Sequence, residues 1–420
     1  MADNRPHVLF LARSFPPVAT IAAIRTTSIA RYLSRSGWKV TVIAPDPRIM
    51  REPTNPEALE ELCREDNVEM IHTDHGLRCM LPQFFRQKGL TANRVIGGLI
   101  RRLAVLLDID DGAGWIRPVL NSTRRLRPGS VDLVLASAAP FSSFVLARML
   151  GDRLGCPYVL DYRDPWTMRS FKEVQVRPWT RSLEKRICKD ASAIFHVGPG
   201  LVAQHVAGLG GAEKNFCLTN GYDPDVLDSI AATHFDHRAI VYTGRFYPPI
   251  RIIKPVLEAL KALHDEDSGE WSDVRFHYYG LDSTHVLEAA RASGTEHLIV
   301  DHKRVPQDVA FAATKGAAIS VVITSVQEKS SAGVMGTLTG KLFESIGLGS
   351  PILVVTPDGS DAAELMQQTN SGVCSPGHDI SMLAAAMKTL LRRGRTVRST
   401  EAESVSWPRL IQTLDGVLRP

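Results

Sequence analysis

The sequence predicts an α/β protein of two doubly wound, Rossmann-like domains facing a central cleft. Three observations carry that expectation. Short apolar, strand-like runs alternate with helix-like segments from His7 to about residue 220. The alternation pauses over the polar, strand-free stretch Asp223 to Asp236, which reads as an interdomain linker, and restarts at Ala239. The chain has 420 residues, too many for one typical core and enough for two domains of roughly 200 residues each. The expected division is residues 1–225, residues 239–395 and a terminal segment, 396–420, whose helix crosses back to the first domain.

Composition narrows the class. Hydrophobic content of 44% and charged content of 22% are ordinary for a globular protein, and a net charge of +4 is too mild to argue for nucleic acid. Cys63, Cys79, Cys156, Cys188, Cys217 and Cys374 are scattered without a C-x-x-C pair, as expected of reduced thiols in a cytosolic protein. Val8 to Ala12 is too short for an export signal and Arg13 follows at once. No apolar run approaches the roughly 20 residues that a membrane-spanning helix needs. A cytoplasmic chain, soluble or peripheral at the inner membrane face, is the expectation.

In order, His7 to Ala12 is an apolar strand, Ser14-Phe15-Pro16-Pro17 a loop, Ile24 to Ser36 a helix closed by Gly37, and Lys39 to Ala44 a second strand. Such a βαβ opening implies a parallel sheet with helices on both faces. Val131 to Ala136, Tyr158 to Asp161, Ala193 to Val197 and Asn215 to Leu218 continue the strands, with a helix from Phe141 to Leu150. In the second half the strands are Ala239 to Thr243, Val274 to Tyr279, Leu298 to Val300, Ala318 to Ile323 and Pro351 to Val355, with a helix from Pro255 to Leu263. The carboxyl ends of such strands line the ligand crevice of open α/β sheets.

The most informative segment runs from Leu338-Thr339-Gly340-Lys341-Leu342-Phe343-Glu344 to Gly349-Ser350-Pro351. A helix opens near Gly340, stops at Gly349 and leads into an apolar strand. Lys341 and Glu344 share a helix face, near free N–H groups and a positive dipole end that suit a phosphate. Lysine for phosphate charge and glutamate for sugar hydroxyls is what a nucleotide diphosphate-sugar requires. An ordinary surface helix with an ion pair explains the same residues. Tyr242-Thr243-Gly244-Arg245-Phe246-Tyr247-Pro248-Pro249-Ile250-Arg251 sets two arginines in a tight loop at a strand end, where their planar forks can bracket a diphosphate. Ser360 or Asp361 caps a helix beginning near Ala362. In the first half, Asp161-Tyr162-Arg163-Asp164-Pro165-Trp166 ends a strand in a polar cluster able to orient sugar hydroxyls, with Trp166 as a stacking surface; an ion pair beside a packed tryptophan is the plainer reading. Pro17 and Arg25 belong to a similar strand-to-helix loop. Asp108-Ile109-Asp110-Asp111 matches a D-x-D metal motif only superficially, and His72 and His75 lack a third ligand, so no metal site is expected.

Taken in order, these segments resemble glycosyltransferase family 4, retaining enzymes of the GT-B fold, over nearly the whole chain. The likeness rests on the strand–Pro-Pro loop–helix opening, Asn220-Gly221-Tyr222-Asp223, Gly244-Arg245, Gly340-Lys341-Leu342-Phe343-Glu344 and Gly349-Ser350-Pro351. Asp161 to Trp166 and the Gly244, Tyr247, Arg251 loop resemble a bacterial surface-polysaccharide branch. The resemblance implies that Glu344 takes the donor's ribose hydroxyls, that Arg245, Arg251 and Lys341 take its diphosphate beside Gly340, and that the backbone at Arg304-Val305 meets the base. Arg163 and Asp164 fall where many members carry a histidine near the reacting sugar, and would be catalytic. Pro17, Arg25 and Trp166 would line the acceptor side. Gly336 stands where many members carry a first glutamate, Val18-Ala19-Thr20 replaces the usual glycine pair, and either Arg251 or Lys254 fills the second basic position.

What is implied is a retaining, hexosyltransferase-like enzyme, independent of metals and cofactors. It would move sugar from a nucleotide diphosphate-sugar to a saccharide or lipid-linked acceptor in polysaccharide or glycoconjugate assembly, with no nucleic-acid partner. A nucleotide-sugar epimerase or hydrolase of the same fold is one alternative, and a non-catalytic nucleotide-sugar-binding member the other. Arg94 to Leu107, with Val95, Leu99, Leu103 and Leu106 at helical spacing among Arg94, Arg101 and Arg102, suggests an anionic membrane surface as a further partner, or a stripe buried in its own domain.

Overall fold

The structure, a computed structural model, describes residues 4–50, 53–74, 110, 112–168, 176–328, 331–394 and 398–419. The chain divides into two compact units, residues 1–218 with 411–420, and residues 219–410. In the first unit, β1 (His7–Leu11), β2 (Lys39–Pro45), β3 (Glu69–Thr73), β4 (Leu133–Ser137), β5 (Tyr158–Tyr162), β6 (Ala193–His196) and β7 (Asn215–Cys217) form one sheet in the order β3-β2-β1-β4-β5-β6-β7. In the second, β8 (Arg238–Thr243), β9 (Val274–Tyr279), β10 (Ile299–Asp301), β11 (Ile319–Ile323), β12 (Ile352–Val355) and β13 (Gly372–Ser375) follow the order β10-β9-β8-β11-β12-β13. Every strand pair within both sheets is parallel.

The central strands are continuous apolar runs because helices cover both faces, leaving no solvated side on which polar residues could alternate. Val8 pairs with both Val40 and Leu133, and Leu9, Phe10 and Leu11 are fully buried. The second unit repeats this with Ile240 and Val241 beside Phe276 and His277. Strand order reverses between β1 and β4, and again between β8 and β11. At such reversals adjacent crossovers leave toward opposite faces and open a crevice outside the strands' carboxyl ends.

Two strands had no sequence signal. β3 reads Glu-Met-Ile-His-Thr and lies at a sheet edge, where half-exposed positions dilute the apolar run. β13, at the opposite type of edge, is four residues that begin with Gly372. A Cβ there would meet the Ile352 carbonyl oxygen at 2.3 Å, so glycine is required for the approach to β12. The polar stretch after Asp223 is strand-free, but it is not simply an extended linker. Asp223 caps a short helix, Pro224–Leu227, by accepting from the Asp225 amide at 3.1 Å, and Leu227 is buried against Ile346 and Phe343 in the second unit's core. The last helix, Trp407–Leu418, spans the boundary between units. Within the first unit its far end is held where Trp38 Nε1 donates to Asp415 at 2.6 Å and Arg419 donates to the Ser36 carbonyl at 2.8 Å. The segment Arg94 to Leu107 lies outside the described residues.

The first unit's core encloses an unusual set of polar groups. Tyr162 OH donates to Glu184 at 3.1 Å, Thr167 donates to the same carboxyl, and Cys188 Sγ lies 3.2 Å from the phenol oxygen. His196 bonds Asn215 Oδ1 at 2.7 Å, and the His205 ring sits 4.7 Å from that of His196. Burial pushes His196 down to about 4 and, with help from the neighbouring His196 charge, His205 down to about 3. Both stay neutral in the fold, whereas the unfolded chain takes up protons near pH 6.5. The unfolded state then binds more protons, so stability is full above pH 6.5 and falls as pH drops toward 4. Urea midpoints should decline across that window, and His205→Phe should flatten the decline; an unchanged slope in the variant would remove His205 as its source.

Candidate functional site

The loop after β8 and the first turn of the helix Gly340–Leu348 are brought together by a missing side chain. Gly244 has φ of +101°, and a Cβ on it would lie 2.5 Å from Lys341 Nζ. The backbone there favours glycine, and the end of the lysine occupies the space a Cβ would take. Lys341 Nζ sits 4.6 Å from the Tyr242 ring centroid, a cation–π contact. Tyr242 is itself stacked on Phe246, centroids 4.5 Å apart. The loop is pinned underneath: Tyr278 OH donates to the Gly244 carbonyl at 3.0 Å and accepts from the Asp282 amide at 2.7 Å, while Asp282 accepts from the Phe246 amide at 2.8 Å.

Arg251 closes this loop. It pairs with Tyr247 in a two-way backbone bridge, 2.9 Å each way, and its guanidinium lies over the Tyr247 ring. Its Nε donates to the Thr324 carbonyl at 3.2 Å, at the carboxyl end of β11 and so at the strand-order reversal of this sheet. Lys254, by contrast, opens the helix Lys254–Glu266 and pairs with Glu258 one turn on, at 3.5 Å. Arg251, not Lys254, shares the neighbourhood of Tyr242 and Lys341. Arg245 is exposed, and its guanidinium makes no hydrogen bond or ion pair with any described residue.

The helix Gly340–Leu348 ends at Gly349 with φ of +71°, the expected left-handed stop. At its start Gly340 is exposed, Thr339 has no side-chain capping bond, and the Thr339 hydroxyl is buried without a partner. Leu342 N–H donates to the Thr339 carbonyl at 3.1 Å, which leaves the N–H groups of Gly340 and Lys341 for another acceptor. Lys341 and Glu344 are both half-buried. Glu344 makes no hydrogen bond or ion pair with any described residue, and burial raises its pKa against the pull of Lys341. Burial likewise pushes Lys341 down to about 8; Glu344 opposes this and Arg251 adds to it. A partly dried cation and a carboxylate that no described residue bonds thus stand on one helix face, with Arg251 close to the cation.

Val305 lies after β10 and packs, half-buried, on Ala239, Val241 and Tyr279. Beside it runs a chain that sequence reading missed. His237 Nε2 meets His277 Nε2 at 2.7 Å, His277 Nδ1 meets His302 Nε2 at 2.9 Å, and His302 stacks on Tyr279 at 4.1 Å. The three histidines are 40 and 25 residues apart in sequence, so only sheet pairing reveals them. A second missed group is the row of buried hydroxyls at the ends of β11 and β12. Thr324 donates to Thr356 at 2.6 Å, and Thr356 lies 2.7 Å from Ser360, which caps the following helix at the Ala363 amide. Ser360, rather than Asp361, is thus the cap.

In the first unit the polar cluster also lies at the strand-order reversal, but most of it is internally satisfied. Arg25 is 2% exposed and donates to Asp161 through Nε at 3.1 Å and Nη2 at 2.6 Å, with a further bond to the Leu218 carbonyl. Ser137, at the end of β4, donates to the same carboxylate at 2.7 Å. Burial works to raise the Asp161 pKa, yet the Arg25 charge and hydrogen bonds, with Ser137, outweigh it and hold the group below the usual range. Arg163 is half-buried and donates to the Ala22 carbonyl at 3.1 Å; Asp164 is exposed. Pro17 is half-buried, its carbonyl accepting from Asn55. Trp166 differs from the expected stacking surface. It is buried, with Phe141 stacked parallel on its ring at 5.1 Å and Phe144 against its edge. Arg25 and Trp166 are therefore interior residues of the first unit rather than surface ones.

Asp110, the described member of the D-x-D sequence, accepts from the amides of Gly112 at 2.9 Å and Ser142 at 2.8 Å, so its carboxylate is committed to the backbone. Among the described residues there is no group of three or more His, Cys, Asp or Glu that could hold a metal ion. None of the five described cysteines is in a disulfide.

Residues 22–221 match the family model described as a glycosyl transferase 4-like domain, and residues 237–393 match that described as glycosyl transferases group 1. No curated protein sequence matches the chain. Solved structures of the same fold include sucrose-phosphate synthase from Thermosynechococcus elongatus, 12% identical with a TM-score of 0.62 over 98% of each chain. Anabaena HepE, solved in complex with UDP-glucose, is 14% identical with a TM-score of 0.61 over 98% of this chain and 99% of that one. The lipopolysaccharide outer core galactosyltransferase WaaB is 10% identical with a TM-score of 0.59, again over 98% and 99%. These likenesses establish the GT-B fold.

The electrostatics of Lys341 can be read directly. Acylation of Lys341, followed by peptide mass spectrometry across pH, should reach half its limiting rate near pH 8. Glu344→Gln should move that midpoint lower, because the carboxylate favours the charged amine. A wild-type midpoint at the ordinary lysine value, about 10.4, would mean that the amine is not desolvated.

Proposed function

We propose that this chain, whose two domains are of glycosyltransferase type in a GT-B fold, transfers a sugar from a nucleotide diphosphate-sugar to an acceptor hydroxyl. The observation that carries the reading is the pairing of Lys341, seated over Gly244, with a Glu344 carboxylate that no described residue bonds. The basic group suits a diphosphate and the carboxylate suits ribose hydroxyls. Val305 is assigned to the base, and Arg245, Arg251 and Gly340 to the phosphates. HepE, solved with UDP-glucose, supports a uridine nucleotide as the first donor to try.

In the reaction, the bond from the anomeric carbon to the diphosphate oxygen breaks, a bond to the acceptor oxygen forms, and the acceptor hydroxyl's proton passes to the departing diphosphate and from there to water. Negative charge grows on the leaving diphosphate. In this reading Lys341, Arg251 and Arg245, with the open N–H groups at Gly340 and Lys341, stabilise it without a metal ion. Arg163 and Asp164 are assigned to the reacting sugar, with Pro17 beside the acceptor. Retention of configuration and a hexosyl donor follow the family resemblance. A saccharide or lipid-linked acceptor in polysaccharide or glycoconjugate assembly, met at the inner face of the cell membrane, is the biological setting we assign; WaaB, a lipopolysaccharide galactosyltransferase of the same fold, supports it. No helix among the described residues is long and apolar enough to cross a membrane.

A thermal-shift panel of nucleotide-sugars identifies the donor, because stabilisation grows with ligand concentration over its dissociation constant. With that donor, Glu344→Ala should lower affinity by about ten- to a hundredfold, the worth of a charge-assisted hydrogen bond; unchanged affinity in a folded variant would take Glu344 out of the site. Arg251→Ala should slow turnover far more than Lys254→Ala, since Lys254 is engaged with Glu258. Equal losses would show that the Thr324 contact does not aim Arg251 at the donor. Turnover should persist in EDTA, and activity restored only by a divalent ion would overturn the metal-free reaction. Sugar released without an acceptor would instead mark a hydrolase.

A further inference from the structure

Two arginines stand near one carboxylate at the carboxyl end of β5, and the structure gives it to only one of them. Asp161 accepts from Arg25 Nη2 at 2.6 Å, from Arg25 Nε at 3.1 Å and from Ser137 at 2.7 Å, so both of its oxygens are engaged. Arg163 follows directly after the strand and makes a single hydrogen bond, from Nη1 to the Ala22 carbonyl at 3.1 Å. It pairs neither with Asp161, whose ion-pair partner is Arg25, nor with the exposed Asp164. The Arg163 side chain is nonetheless half-buried. Burial lowers its pKa against the pull of Asp161; the Arg25 charge adds to the lowering and Asp164 opposes it. Its remaining N–H groups are not among the enclosed atoms of the structure, so a ligand can reach them.

A partly desolvated guanidinium with most of its donors unspent is costly to the fold, and an anion that takes those donors offsets the cost. The Ala22 bond fixes one end of the planar fork, which leaves the rest aimed at a partner of matching geometry. A neutral hexose offers hydroxyl groups, which engage such donors without balancing the charge. A phosphate carries about two charges and draws more than one cation, whereas Arg25 beside it is already spent on Asp161. One guanidinium matches one carboxylate, in the way Arg25 already meets Asp161. We infer that Arg163 selects an acidic sugar, its guanidinium holding the carboxylate of a hexuronic acid unit at the reacting centre. This deepens the proposed function and rests on its assignment of Arg163 to the reacting sugar. The carboxylate belongs either to the sugar that is transferred or to the one that receives it, and the two sources are separated by the arms of one experiment.

The test is titration calorimetry on the full chain. In the donor arm, UDP-glucuronate is compared with UDP-glucose and GDP-mannuronate with GDP-mannose, each against the nucleotide alone. In the acceptor arm, methyl glucuronoside is compared with methyl glucoside, both added to protein saturated with nucleotide. In one arm the acidic member should bind about ten- to a hundredfold tighter than its neutral counterpart, the worth of a charge-assisted hydrogen bond, and that arm identifies which sugar carries the carboxylate. Arg163→Gln should abolish the preference while leaving affinity for the nucleotide and for the neutral sugar unchanged. Arg163→Lys, which keeps the charge but not the fork, should retain part of it. Both variants are checked for cooperative urea unfolding. Nucleotide binding with no preference for the acidic sugar in either arm, or a preference that survives in Arg163→Gln, would overturn the inference and leave the sugar-transfer reading standing. Binding of no nucleotide at all would sink that reading and the inference with it.

Discussion

Every strand pair in both sheets is parallel, and the rest of the molecule follows from that constraint. Parallel strands need crossover helices on both faces, so the strands are buried from both sides and have little room for polar side chains. Chemistry is pushed to the strands' carboxyl ends, where the chain leaves the sheet and strand order reverses. Arg251 against the Thr324 carbonyl and Ser137 against Asp161 occupy those two reversals. These two polar clusters thus have equivalent addresses in their own sheets.

They differ in what they leave unsatisfied. In the first unit the buried Asp161 is met by Arg25 and Ser137, and the cost of removing its charge from water is offset by close, multiple hydrogen bonds. That arrangement ties the helix Ile21–Arg35 to β5 and to the end of β7 through Leu218. In the second unit Lys341 and Glu344 are desolvated without being bonded to one another. Their pKa values are drawn in opposite directions by burial, each toward its neutral form. The protein thus leaves a desolvated amine and a desolvated carboxyl on one helix face with no hydrogen bond between them.

The loop geometry makes this possible at small scale. Gly244 leaves the space that Lys341 Nζ occupies, and Tyr242, Tyr278 and Asp282 hold the loop from below. The aromatic stack of Tyr242 on Phe246 gives the ammonium group a polarisable floor where water is partly excluded. The loop is held by hydrogen bonds between its backbone and phenol and carboxylate groups.

Two α/β units, their central strands, and the Gly340–Leu348 helix with its glycine stop were legible in the sequence, because apolar periodicity, caps and glycine signals are local. Lys341 and Glu344 stood out as one helix face for the same reason. Edge strands β3 and β13 were not legible, since half-exposed or glycine-led strands lose the apolar run. Nor was the burial of Leu227 in a stretch that reads as polar. Tertiary structure alone separated Arg251 from Lys254, giving one the Thr324 carbonyl and the other Glu258. It also withdrew Trp166 into an aromatic core, left Trp179 as the exposed indole, and assembled the His237, His277 and His302 chain across three strands. The sequence by itself determined which elements form and which residue types stand at their ends; which of those side chains meet depended on sheet pairing and packing between residues tens of positions apart, which no local pattern encodes.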